Sequence, residues 1–124
     1  MASFYKRKIT RGQSYDLTVS YDEDGVAQSI VGDALLFTTK TTQYDNDQTD
    51  AGALVTKTVN PVPDTTDAQG GNYTFNLDYD DTWQEPGTYF TDVWIVRADT
   101  GKRYPLALEK LVITGTPTNR QGAI

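Results

Sequence analysis

Residues 71–96 read GNYTFNLDYDDTWQEPGTYFTDVWIV. In the first part, Tyr73, Phe75, Leu77 and Tyr79 alternate with Asn72, Thr74, Asn76 and Asp78. Successive side chains on a strand point to opposite faces, so this pattern predicts a half-buried strand with one apolar and one polar side. A short acidic connection carrying Trp83 follows, with Asp80–Gln84 as a candidate helical turn. Pro86-Gly87 then turns the chain into a second run, Thr88–Val96, in which apolar residues occur in both phases. A two-period strand cannot bury both phases in one core, and that surplus is the main pointer to function.

Outward from this stretch the chain is a series of short strand patterns separated by turn residues. Tyr15, Leu17, Val19 and Tyr21 alternate with polar residues, and Asp22-Glu23-Asp24-Gly25 reads as a tight turn. Val26–Val31 is a weaker extended piece. Ala34–Thr42 is rich in threonine and carries Leu35, Leu36 and Phe37, which favours strand over helix. Gln43–Gly52 is polar and acidic and reads as a loop. Ala53–Asn60 is a further strand, ended by Pro61 and Pro63. Asp99-Thr100-Gly101 is a hairpin turn, and Arg103–Thr114 is the last strand. There, Tyr104, Leu106 and Leu108 share one phase while Leu111 and Ile113 share the other, which predicts a β-bulge near Glu109-Lys110. Ala2–Thr10 is an arm or a first strand.

About seven short strands with regular turn signals and no long amphipathic helix predict an all-β, immunoglobulin-like antiparallel β-sandwich with extended termini. Residues 1–10 form the arm or first strand, 11–114 the sandwich, and 115–124 a polar tail. Glu85-x-Gly87-x-Tyr89 fits the corner of such sandwiches, in which a tyrosine opens a strand with its ring inward. That choice points Tyr89, Thr91, Val93 and Ile95 into the core. It leaves Phe90, Trp94 and Val96 on a face that an isolated sandwich makes polar. Either the Gln43–Gly52 loop or the N-terminal arm covers them, or they form an interface.

The 124 residues contain neither cysteine nor histidine and carry a formal charge of −6. A disulfide framework, a thiolate metal site and the commonest general base are therefore excluded. Net negative charge opposes non-specific nucleic-acid binding, and no 18-residue apolar run reads as a membrane span. Met1–Lys8 is too short and polar for a secretory signal. Lys6, Arg7 and Lys8 crowd the N-terminus and suit an acidic surface on a neighbouring copy or partner. The carboxylates cluster at 22–24, at 45, 47 and 50, and at 78, 80 and 81. Acidic groups in turns are ordinarily solvated caps, and Asp45-Asn46-Asp47 lacks the glycine and distal glutamate of a defined calcium loop. None of Ser3, Ser14, Ser20 or Ser29 sits in a nucleophile elbow. No catalytic, cofactor or metal site is assigned. Trp83 and Trp94 keep a sugar-stacking alternative open, a carbohydrate-binding or adhesion module with or without structural calcium.

In order, the segments GQSYDLTVSYDEDG, SIVGDALLFTTKTT, ALVTKTV, GNYTFNLDYDDTWQEPGTYFTDVWIV and TGKRYPLALEKLVIT resemble the N-terminal domain of bacteriophage baseplate upper proteins and related immunoglobulin-like phage virion domains. The resemblance spans about residues 11–114 and centres on Gly71, Tyr73, Phe75 and Leu77 and on Pro86–Tyr89. It implies a non-enzymatic structural protein of the virion, from baseplate, tail, neck or head. Its expected partners are other virion proteins and copies of itself. Nucleic acid, membrane and small-molecule substrates are not expected. Phe90, Trp94, Val96, Lys6, Arg7 and Lys8 are the candidate interface residues.

Overall fold

The computed structural model describes residues 4–41 and 53–115. In chain order the elements are β1 (Phe4–Thr10), β2 (Tyr15–Ser20), β3 (Asp22–Glu23), β4 (Val26–Ala27), β5 (Ala34–Lys40), β6 (Val55–Val59), α1 (Thr66–Gln69), β7 (Asn72–Leu77), α2 (Tyr79–Thr82), β8 (Gly87–Val96) and β9 (Arg103–Thr114). The described chain is mostly strand, in mixed sheets, and belongs to the all-β class. One sheet has the order β1-β9-β8-β5-β6, with β1 parallel to β9 and the other pairs antiparallel. β2 and β7 form a separate antiparallel ribbon, and β3–β4 a minimal hairpin.

The alternating patterns decide which sides meet. Leu17 and Val19 of β2 and Phe75 and Leu77 of β7 are buried against Leu35, Phe37, Val93, Ile95 and Ala107 of the large sheet. Phe37 and Phe75 touch across the gap, with ring centroids 5.3 Å apart. The reverse side of the ribbon is polar, with Thr18 bonded to Thr74 and Ser20 to Asn72. A smaller cluster, Ile9, Tyr89, Leu111 and Ile113, fills the other end of the core, and Tyr15 touches both.

The turns follow their chemistry. Asp24 and Gly25 both adopt positive φ, as a two-residue hairpin turn of this hand requires. α2 opens with a capping box, Asp78 and Asp81 satisfying one another's backbone N–H groups. The sequence pattern does not predict α1. Thr65 caps it by accepting from the Ala68 N–H, and Ala68 is fully buried beside Ile30 and Val62. A four-residue helix is too short to leave a periodic signature. Val26–Val31 also contributes less strand than expected, only Val26–Ala27.

The expected bulge is present but displaced. Val93 pairs with Ala107 and Trp94 with Pro105, leaving Leu106 unpaired. Below it the inward phase runs Ala107, Glu109, Leu111, Ile113, and Leu108 faces outward. The predicted phase change at Glu109-Lys110 is therefore corrected. Glu109 is a buried carboxylate within an otherwise regular run. At the start of β8 the Tyr89 hydroxyl donates to the Glu85 carbonyl oxygen, the hydrogen bond expected of the corner. Tyr89→Phe removes that donor and leaves the ring. We expect a loss of about 0.5–1.5 kcal/mol in urea unfolding, with an unchanged denaturant slope.

Candidate functional site

Strand β8 sorts its side chains as the corner requires. Tyr89, Thr91, Val93 and Ile95 are buried, and Phe90, Asp92, Trp94 and Val96 lie half-buried on the opposite side. Register extends that outer face across the sheet. Trp94 lies between Leu36 and Pro105, Val96 between Ala34 and Arg103, and Asp92 between Thr38 and Leu108. Val112 lies beside Lys8. The result is an apolar strip of Leu36, Phe90, Trp94, Val96, Leu108 and Val112 on the side of the sheet away from both core clusters.

The described part of the N-terminal arm does not supply cover for this strip. Phe4–Thr10 lies beside β9 as an edge strand and does not cross the face. Both short helices pack beside β7, on the other side of the molecule. Among the described residues no strand or helix forms a layer over Trp94. The other expected cover, Gln43–Gly52, lies outside the described residues.

The basic N-terminal residues separate. Lys6 and Lys8 share the outer face with Lys110 and Val112, whereas Arg7 turns inward. Arg7 is thus corrected from interface residue to core partner: strand alternation between two outward lysines forces it to the other side. Its Nε donates to Glu109 Oε1 at 2.9 Å, and its guanidinium lies 4.5 Å from the Tyr15 ring centroid. The Glu109 side chain is wholly buried. Burial pushes its carboxyl above the ordinary glutamate value, and the hydrogen bond and charge of Arg7 oppose this only in part. The Tyr15 hydroxyl is raised as well, by burial first and then by the Glu109 charge. Thr39 and Thr91 share a buried hydrogen bond of 2.8 Å in the same cross-strand row as Glu109. The row is a polar seam through the core, and sequence patterning did not find it.

A second buried carboxylate was also missed. Asp33 accepts from the Ala98 N–H at 2.8 Å and pairs with Arg97 at 3.0 Å, tying the start of β5 to the β8–β9 turn. Its signal, a lone aspartate after Gly32, is indistinguishable from a solvated turn residue.

Trp83 has a structural setting. The Arg11 guanidinium lies 4.2 Å from its centroid and the Tyr79 ring 5.5 Å away, while Gly12 lies against its edge. An open groove of about 470 Å³ is lined by Ser20, Tyr21, Asp22, Glu23, Asp24, Tyr104, Pro105 and Leu106. Neither tryptophan lines it, so it lacks the platform on which the sugar-stacking alternative rests. Among the described residues no group of three or more carboxylates is placed to hold a metal ion, and no helix is long and apolar enough to cross a membrane. No model of a known protein family and no curated protein sequence matches the chain.

Proposed function

We propose that this chain is a non-enzymatic structural component of a bacteriophage virion, an immunoglobulin-like β-sandwich that acts through protein–protein contacts on the outer face of its large sheet. The observation that carries the reading is the half-buried apolar strip around Trp94, on a sheet side that an isolated sandwich makes polar. Seven strands of five residues or more support the fold assignment. The ribbon β2–β7 faces the order β9-β8-β5-β6, with an extra edge strand β1 parallel to the last strand. The tyrosine corner at Tyr89 adds to it.

An interface is the economical use of such a strip. Both side chains are already partly buried within the chain, so covering what remains exposed contributes at most about 1–2 kcal/mol each before the costs of association. Mass spectrometry of purified particles from the phage that encodes the chain tests the role. The chain is expected in intact particles at stoichiometric amounts after density-gradient purification. Its absence from particles, with the soluble folded chain present in the lysate, would overturn the virion assignment.

A further inference from the structure

The outer face carries charge as well as apolar surface. Register places Lys6, Lys8, Lys40, Arg103 and Lys110 on it. These are five of the chain's 11 lysines and arginines, and among the described residues Asp92 is the only carboxylate from the five strands on that side. A chain of net charge −6 thus concentrates positive charge where its apolar strip lies. One cross-strand row runs Lys6, Lys110, Phe90. Lys6 and Lys110 stand directly opposite each other, and like charges so placed oppose strand pairing. Strand pairing gives no reason for two lysines to stand opposite each other, whereas an acidic group laid over Phe90 beside them does.

The acidic surface that matches lies on the same chain. The β3–β4 hairpin presents Asp22, Glu23 and Asp24, all exposed, beside Val26, which is 62% exposed. Next to it the groove between Tyr21 and Tyr104 is concave and has no cationic lining residue. An acidic rim around exposed apolar groups is the counterpart of a lysine rim around Phe90 and Trp94.

We infer that the outer sheet face of one copy docks on the acidic hairpin end of another copy, in a head-to-tail contact. This inference rests on the reading of the face as an assembly surface. A contact between two outer faces is opposed by like charge, because Lys6, Lys8, Arg103 and Lys110 of one copy would meet the same residues of the other. A contact between different patches does not close on two subunits, so it generates a ring or a filament. A polyanion such as single-stranded nucleic acid would also meet the lysines. However, Phe90 and Trp94 are only partly exposed, whereas single-strand binding relies on open aromatic platforms.

Sedimentation velocity of the full chain tests this, using wild type, a face variant (Lys6→Glu with Lys110→Glu) and an end variant (Asp22→Lys with Asp24→Lys). All four positions are at the surface, and circular dichroism checks that each variant is folded. Wild type is expected to form species larger than dimers in low salt and to dissociate as salt rises. Each variant alone should bind itself roughly 100-fold more weakly, through like-charge opposition. An equimolar mixture of the two variants should recover assembly beyond dimers, because the intact end meets the intact face and the reversed, acidic face meets the reversed, basic end. A wild-type chain that stays monomeric at high concentration and low salt overturns the inference, as does a mixture that stays monomeric. Binding of a single-stranded oligonucleotide that abolishes wild-type self-association, and is itself lost in the face variant, reassigns the lysines to nucleic acid and overturns it too. A chain that is monomeric when pure but present in particles would leave the virion role standing while removing this contact.

Discussion

Arg7→Ala should lower the unfolding free energy at neutral pH by about 3–5 kcal/mol, among the largest effects available to a single substitution in this domain. The loss does not measure the strength of the pair. Removing Arg7 strands the Glu109 carboxylate, whose side chain is fully buried, without its charged donor. It also removes the cation from the Tyr15 ring. The double variant Arg7→Ala with Glu109→Gln should therefore recover most of the loss, because a neutral amide costs far less to bury than a carboxylate. Urea unfolding of the four members of this cycle gives the coupling directly. If Arg7→Ala destabilises the wild-type chain and the Glu109→Gln variant equally, the two side chains act independently.

The same pair fixes a pH dependence. Burial raises the folded-state value of Glu109 above its ordinary 4.5, so the folded protein holds this proton more tightly than the unfolded chain does. Stability from this group is therefore fully present below the unfolded value and is lost as pH rises through the folded value. Wild type should accordingly gain stability relative to Glu109→Gln as pH falls from neutral toward 4.5. Arg7→Ala should widen that window upward, because Arg7 is the group that holds the folded value down. Thermal melting of wild type, Glu109→Gln and Arg7→Ala between these limits reads the effect as a difference. Curves that stay parallel across the range would contradict the assignment.

Gly71→Ala should cost about 2–5 kcal/mol, for two separate reasons. Gly71 sits at φ +85°, where an L side chain is strained. A Cβ there would also come within 2.6 Å of the Gln28 carbonyl oxygen and 2.7 Å of the Tyr21 carbonyl oxygen. Both are backbone atoms, so no rotamer change relieves the contact. Gly71 accepts from Tyr21 N–H at 2.9 Å and Gly70 ends α1, so the displaced residue would disturb the ribbon and the helix plug together. Gly101 is the control: it also has positive φ, but nothing lies within 4 Å of its Cβ position. Gly101→Ala should therefore carry only the conformational cost, about 1 kcal/mol. Equal losses at the two positions in urea unfolding would show that crowding at Gly71 is not the cause.

The parts of the fold legible in sequence are those governed by alternation and turn chemistry. β2, β7 and β8 show their faces because each polar residue between apolar ones must leave the core. Tyr89 gave the phase of β8, and with it Phe90, Trp94 and Val96 as surplus. In β9 alternation points the wrong way, because it treats a carboxylate as an outward residue and Glu109 is buried. The rule fails there because its partner Arg7 lies 102 residues away in sequence, on a strand joined to β9 only by parallel pairing. The same pairing split Lys6, Arg7 and Lys8, which composition alone treats as one basic cluster. Which strand lies beside which is a property of the assembled sheet, and no local pattern in β1 or β9 carries it.

Under the proposed function, Trp94 serves contacts between molecules rather than the stability of one. The most direct measurement is the incorporation of Trp94→Ala into particles, relative to wild type, when both are supplied as folded soluble protein in equal amounts. Loss of roughly 1–2 kcal/mol of burial at the contact predicts a variant that folds as wild type does but is depleted about tenfold from particles. Equal incorporation, or a variant that unfolds in isolation, would place Trp94 outside any interface and contradict the account.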